Sequence, residues 1–291
     1  MLRKALLMLL VVLALAALAA GCGGDEEAAA PGADTAATEE PAATDDGTEP
    51  AEEVPTKEQG VLKVGAEFPS GIFIQLPRDN PTGLEVDIAN EIAKRLGIER
   101  VEWIETPFTS LFSPAKREFD FAINEISITE ERDEVVDFSI PYYEANQALL
   151  ARKGGPGENA TTMDAVRELQ LGVQATTTGF FYAQETIKPT KQLRQYETLA
   201  AANQALLNGQ YDAMIMDVPI AADLVNENPD RLVIVGQFVT DEQWGILFEE
   251  GNELRDRVNE VLQEMLDDGT IDEIVEKWLP GSTQDFPVIE D

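Results

Sequence analysis

From residue 60 onward the chain alternates short apolar runs of strand length with longer stretches that repeat apolar residues every three to four positions. This alternation limits the fold more than any other feature. Val61-Leu62-Lys63-Val64-Gly65 reads as a short buried strand. Residues 83–96 then carry Leu84, Ile88, Ile92, Ala93 and Leu96 on one helical face, and Gly97 stops the helix. A second strand is expected over 101–104, a helical turn region over 108–117 and a third strand over 119–123. The scheme then recurs. Leu171-Gly172-Val173 is a strand, Thr-rich residues lead into a helix over 180–186, and a second helix over 199–207 ends at Gly209. A strand over 212–216, a short helix over 221–226 and a strand over 232–235 follow, and two amphipathic helices, 252–266 and 271–278, are split by Gly269. Strands alternating with helices imply an α/β fold of mostly parallel sheets with flanking helices, whose ligands sit beyond the carboxyl ends of the strands. Two such series in about 230 residues suggest two lobes.

Composition narrows the chemistry. The 291 residues hold 55 Asp plus Glu against 21 Lys plus Arg, no His and one Cys, for a formal charge of -34. Without histidine there is no Ser-His-Asp or Cys-His nucleophile pair and no imidazole metal ligand. One cysteine makes neither an internal disulfide nor a thiolate zinc site. No G-x-x-x-x-G-K-[ST] motif is present, so a P-loop is excluded. The negative charge repels phosphate backbones, which argues against a nucleic-acid partner. No metal and no cofactor is implied. Binding remains, or chemistry done by carboxylates alone.

The N-terminal segment is an address. Arg3 and Lys4 precede an apolar run over 5–20, short for a spanning helix, and small residues lead to Cys22; residues 1–21 read as a secretory signal peptide. Leu18-Ala19-Ala20-Gly21-Cys22 resembles the bacterial lipobox, although the branched residue stands one place early. An ordinary signal peptide with an incidental cysteine is the alternative. Cys22 is the only cysteine and sits at the cleavage point, which favours a lipid anchor. Residues 22–59 are then a lipidated N-terminus and a linker of Ala, Gly, Pro, Thr, Asp and Glu, with 12 acids against Lys57 alone. Such a composition cannot offset its chain entropy by burying apolar surface, so disorder is expected.

Five stretches carry a resemblance to a known family: Leu62-Lys63-Val64-Gly65; Gly83-Leu84-Glu85-Val86-Asp87-Ile88; Ser127-Ile128-Thr129-Glu130-Glu131-Arg132 with Val136-Asp137-Phe138-Ser139-Ile140-Pro141-Tyr142-Tyr143; Gly172-Val173-Gln174; and Tyr211-Asp212-Ala213 through Asp217. The third is the most specific, because it is long and rigidly spaced. The chain resembles the polar amino-acid class of ABC-importer solute-binding proteins, bacterial extracellular solute-binding family 3, over nearly all of 60–280. That resemblance implies the two-lobed periplasmic-binding-protein-like fold (type II), with two crossover segments near Gln147 and Trp244. Lobe 1 would comprise 60–148 and 246–291, and lobe 2 would comprise 149–245. It also implies an extracytoplasmic monomer that closes on an amino acid and hands it to an ABC transporter permease, lipid-anchored to the membrane through Cys22.

Individual positions carry the family's roles. Arg132 matches the guanidinium that grips the ligand's α-carboxylate with a two-pronged fork; as a lone residue it would read as a surface arginine paired with Glu131 or Asp133. Thr178 matches a residue of the second lobe whose backbone N–H meets the same carboxylate at a helix start, with Thr176 standing where the family has Gly. Asp217 and Ser127 match the carboxylate and hydroxyl that receive the α-ammonium; a helix N-cap before Pro219 is the plain alternative for Asp217. Phe108 falls where an aromatic covers the ligand side chain, or is a core phenylalanine. Glu67 matches an acidic position at the ligand's distal end, and Glu125 stands where the family prefers small residues. Glu67, Glu125 and Asp217 against Arg132 leave two negative charges in excess, which favours a ligand with an extra positive group. If Glu125 faces solvent or one carboxyl is protonated, a neutral ligand such as glutamine fits instead. Catalysis is not expected. The competing readings are a dehydratase on the same fold that uses Glu67 or Glu125 as acid or base, and a sensing module for a separate receptor. Because the sequence ends at Asp291 without a second apolar segment, a fused transmembrane receptor is not expected.

Overall fold

A computed structural model describes residues 53–280 and 286–290. The signal peptide, Cys22 and the linker up to residue 52 lie outside the described residues. In chain order, β1 (Val61–Ala66), α1 (Leu84–Arg95) and β2 (Arg100–Glu105) form the opening β–α–β unit. A 3₁₀ turn (Phe108–Ser110), β3 (Phe121–Ala122), α2 (Glu130–Asp133), β4 (Asp137–Phe138) and the long β5 (Tyr143–Arg152) follow. Then come α3 (Met163–Arg167), β6 (Leu171–Gln174), α4 (Thr178–Tyr182) running into a π turn (Ala183–Ile187), β7 (Arg194–Tyr196), α5 (Leu199–Leu207) and β8 (Ala213–Asp217). The chain continues with α6 (Val218–Glu227), β9 (Leu232–Trp244), β10 (Leu247–Phe248), α7 (Leu254–Asp267) and α8 (Thr270–Trp278).

The strands make two five-stranded sheets, ordered β2-β1-β3-β10-β4 and β7-β6-β8-β5-β9. The molecule is thus an α/β protein of two lobes, each a sheet flanked by helices. β4 leads into β5 and β9 returns into β10, so two short segments cross between the sheets. The expectation of mostly parallel sheets needs correction. β1 runs parallel to β2 and β3, and β6 to β7 and β8, but β10 is antiparallel to both its neighbours and so is β5. The crossing strands impose this, because a chain that leaves one sheet and returns meets its neighbours head to tail.

Four threonines start helices. Thr129, Thr162, Thr177 and Thr198 each accept the N–H three residues on, which satisfies one of the free donors of α2, α3, α4 and α5. The apolar faces then define the cores. Ile88 and Ile92 of α1 and Leu262 and Met265 of α7 pack on Leu62 and Val64 of the first sheet. Leu149, Val173 and Ile215 line one face of the second sheet, and Leu150, Met214 and Leu206 the other.

Three local expectations change. The helical turn region over 108–117 shrinks to Phe108–Ser110, and Pro114 withholds the N–H that would continue it. Residues 53–59, assigned to the disordered linker, are held in place: Val54 packs on the first core and the Lys57 N–H donates to Asp120 Oδ1 at 2.6 Å. Residues 286–290, grouped from sequence with the first lobe, run along β9 of the second, where Gln237 N donates to Pro287 O and Ile289 N to Gln237 O, each at 2.8 Å.

The lobes also touch away from the crossings. Asp223 on α6, buried to 3 % exposure, accepts the Ile72 N–H at 3.0 Å from the loop before α1. Gly71 permits the approach: its φ is +49°, and a Cβ there would collide with Asp223 Oδ2.

Candidate functional site

Arg132, Thr178, Asp217, Ser127, Phe108, Glu67 and Glu125, chosen from sequence, all line one cavity between the lobes. Arg132 projects from the single-turn α2, whose Thr129 cap accepts its own N–H. The side chain is buried at 7 % exposure. Its Nη1 donates to Ser127 O at 2.5 Å and its Nη2 to Thr176 O at 3.1 Å, so one guanidinium touches a carbonyl from each lobe. Its Cζ lies 4.4 Å from the Phe112 ring centroid and 5.7 Å from that of Phe108. Burial lowers its pKa to about 10, against the pull of Asp217 and Glu242, and it stays a cation at neutral pH. The surface pairing with Glu131 or Asp133 does not form.

Asp217 does not cap α6. No side-chain hydrogen bond reaches that helix; Oδ1 accepts from Gln147 Nε2 and Oδ2 from Trp244 Nε1, both at 2.7 Å. These two donors aim the carboxylate at the end of β8 into the cavity. Burial, reinforced by repulsion from Glu242, pushes its pKa up to about 7.

Ser127 Oγ donates to Glu242 Oε2 at 2.6 Å and lies 3.4 Å from Thr178 Oγ1. Thr178 is the first residue of α4, so its N–H has no acceptor within the helix. Just before it, Thr176 takes φ +63°, its hydroxyl buried without a partner. The departure from the family's glycine is therefore a strained left-handed backbone under a β-branched side chain. Thr176→Gly is expected to stabilise the ligand-free protein by about 1 kcal/mol, after the flexibility of glycine is set against the relieved strain. A lower thermal midpoint in the variant would count against it.

Glu67 links the lobes. Its Oε2 accepts the Phe108 N–H at 3.1 Å, while Oε1 accepts the Leu199 N–H at the start of α5 and Gln174 Nε2, both at 3.4 Å. Burial raises its pKa. Phe108 packs in a core cluster with Leu111 and Phe119 and also lines the cavity. Glu125 is buried at 7 % exposure with φ +45°, which explains why a small residue suits this bend. It does not face solvent. Ser70 Oγ lies 2.8 and 2.9 Å from its two oxygens and Asn124 Nδ2 donates to one at 2.6 Å.

Four further residues shape the site that the sequence had given no role in it, although Gln147 and Trp244 marked the expected crossings. Gln147 Nε2 faces Asp217, Glu242 and Thr178, and so ties β8, β9 and α4 to the crossing strand β5. Glu242 and Trp244 lie on the other crossing, two residues apart. Glu85, fully buried on α1, accepts from Tyr142 Oη and from the Glu125 N–H. The only available signals were polar residues inside runs destined for burial, such as Gln147 before Ala148-Leu149-Leu150. Among the described residues no group of three or more His, Cys, Asp or Glu is placed to hold a metal ion.

The buried carboxyls make stability fall with pH. Asp217 and Glu85 are pushed up to about 7, Glu125 well above its ordinary value, all chiefly by burial. In the unfolded chain these groups lose protons near pH 4, so between about pH 4 and 7 the folded state holds more protons. Raising the pH through that window therefore destabilises the ligand-free fold, and the growing negative charge acts in the same direction. Thermal unfolding at pH 5 is expected at a higher temperature than at pH 8. The reverse order would contradict the charge assignment.

Comparison with known proteins decides the family. The profile of bacterial extracellular solute-binding proteins, family 3, matches residues 62–281. The chain belongs to that family. Among family relatives, the L-cystine-binding protein TcyJ of Escherichia coli (strain K12) is 32 % identical over 229 residues, covering 76 % of this chain and 84 % of that protein. Among solved structures, an ancestral arginine-binding protein bound to arginine is 33 % identical with a TM-score of 0.69, over 76 % of this chain and 99 % of its own. An ancestral arginine-binding protein bound to glutamine is 32 % identical with a TM-score of 0.70, over the same shares.

Proposed function

We propose that the protein is an extracytoplasmic substrate-binding lipoprotein that captures a polar amino acid by closing its lobes and delivers it to an ABC transporter permease. The observation that carries this reading is the pairing of Arg132 and Asp217 on one interlobe cavity. Arg132 spends two of its guanidinium donors on carbonyls and retains others for the ligand's carboxylate, joined there by the Thr178 N–H. Asp217, with Ser127 beside it, receives the α-ammonium. Contacts drawn from both lobes favour the closed form, because only closure lets a ligand make all of them. Three carboxyl groups against one cation in the lining support a basic side chain, whose charge would let a protonated carboxyl ionise. Names of relatives support the class: one binds L-cystine, and arginine-binding ancestors are seen with arginine and with glutamine.

A thermal-shift panel of the twenty amino acids with ornithine and citrulline tests the reading, followed by recovery of the bound compound. Stabilisation by a basic amino acid, recovered unchanged, is the expected result. No shift with any of them would refute it. Stabilisation by neutral compounds alone would refute the basic preference, and a chemically altered product would favour the dehydratase. Membrane attachment is tested separately: Cys22→Ala is expected to release the protein into the medium, and a variant that stays membrane-bound would remove the anchor.

A further inference from the structure

We propose that Glu125 is the specificity-determining residue of this cavity, reserving a carboxylate for the cationic side-chain group of the ligand and giving up a proton to the solvent when that group arrives. The proposal rests on the amino-acid-binding reading above and goes beyond it by choosing between the cavity's Glu67 and Glu125 as the partner of a cationic side chain.

Glu67 is already satisfied. Two backbone N–H groups and the Gln174 amide, drawn from both lobes, occupy its oxygens, so it holds the lobes together. Glu125 differs: its partners are a serine hydroxyl and an asparagine amide, both uncharged. The titratable groups facing it are Glu85 on α1, whose Oε1 takes the Glu125 N–H, and Asp217 at the end of β8. Tyr142, which leads into β5, donates to the same Glu85 oxygen. Glu85 Oε2 is buried with no partner at all. Arg132, the sole cation in the cavity lining, is spoken for by the ligand's carboxylate. Two buried carboxyls without a cation cannot both ionise, so the Glu85–Glu125 pair holds a proton in the empty cavity. An incoming guanidinium or ammonium supplies the missing charge, and the proton leaves for the buffer. A neutral side chain offers no such exchange.

Calorimetric titration of the full-length protein with L-arginine, L-lysine and L-glutamine at pH 7, in phosphate and in Tris, reads the protons exchanged from the difference in heat between buffers. A basic amino acid is expected to release about one proton more than glutamine, since the α-ammonium of either ligand discharges Asp217 and only the basic side chain neutralises the pair. In Glu125→Gln this difference disappears and the ratio of arginine to glutamine affinity falls by at least about tenfold, the worth of one lost charge-assisted contact. Ser70→Ala leaves the carboxyl in place with one donor fewer, so it holds its proton to higher pH and the extra release with basic ligands extends to a higher pH than in the parent; this variant serves if Glu125→Gln does not fold. Equal proton release with arginine and glutamine, or an unchanged affinity ratio, overturns the proposal while leaving the amino-acid reading intact. Failure of all three ligands to bind overturns this proposal and the basic preference, and the thermal-shift panel then decides the amino-acid reading.

Discussion

Replacing Arg132 with alanine is expected to weaken amino-acid binding by two orders of magnitude or more. A charge-assisted hydrogen bond contributes about 1.5–3 kcal/mol, and the guanidinium offers the carboxylate two, so a loss of about 3 kcal/mol or more follows. Each 1.4 kcal/mol is about tenfold in affinity. The substitution also removes the bonds to Ser127 O and Thr176 O and the ring contact with Phe112. Arg132→Lys separates these effects: it keeps a positive charge but not the planar fork, and should still lose at least about tenfold. Titration calorimetry on both variants, with thermal midpoints taken alongside, checks the claim. Near-native affinity in the folded alanine variant would show that the carboxylate is held elsewhere.

How much of this was written in the sequence depends on the length scale of each signal. α1, α5, α7 and α8 were legible because their apolar stripes run for two turns or more. β5 was not: Tyr143–Arg152 is rich in Ala, Leu, Gln and Glu, residues that favour helices, and it becomes a strand only because β8 and β9 flank it on both sides. The even split of parallel and antiparallel ladders followed from that same strand. In the site, Arg132 and Asp217 could be placed because a rigidly spaced motif surrounds one and a strand end presents the other. Gln147, Glu85 and Glu242 could not, since their roles arise from contacts across 31 to 115 residues of chain. Thr176 lies between: its mismatch with the family was visible, but its cost appears only as a φ of +63°.

Trp244→Ala is expected to be the most destabilising single substitution in the neighbourhood of the cavity, by about 3–5 kcal/mol. The side chain is wholly buried where β9 crosses toward β10. It stacks on Tyr143 with ring centroids 4.9 Å apart and meets the Phe73 edge at 5.6 Å, so it fills the space where chain segments of both lobes converge. Truncation leaves a cavity that the paired backbones of β5 and β9 cannot collapse to fill. It also strips Asp217 of one of its two aiming donors. Trp244→Phe keeps an aromatic ring in most of that space while removing the N–H and part of the indole volume, so its ligand affinity, more than its stability, reads the second effect. Its stability should fall by about 1–3 kcal/mol, the cost of an unmet buried partner, and its ligand affinity should fall with it because the Asp217 carboxylate is free to turn. Denaturant midpoints for both variants, with calorimetric affinities for the phenylalanine one, test the pair of claims. If the phenylalanine variant binds its amino acid as tightly as the parent, the indole is a packing element alone and Gln147 suffices to orient the aspartate.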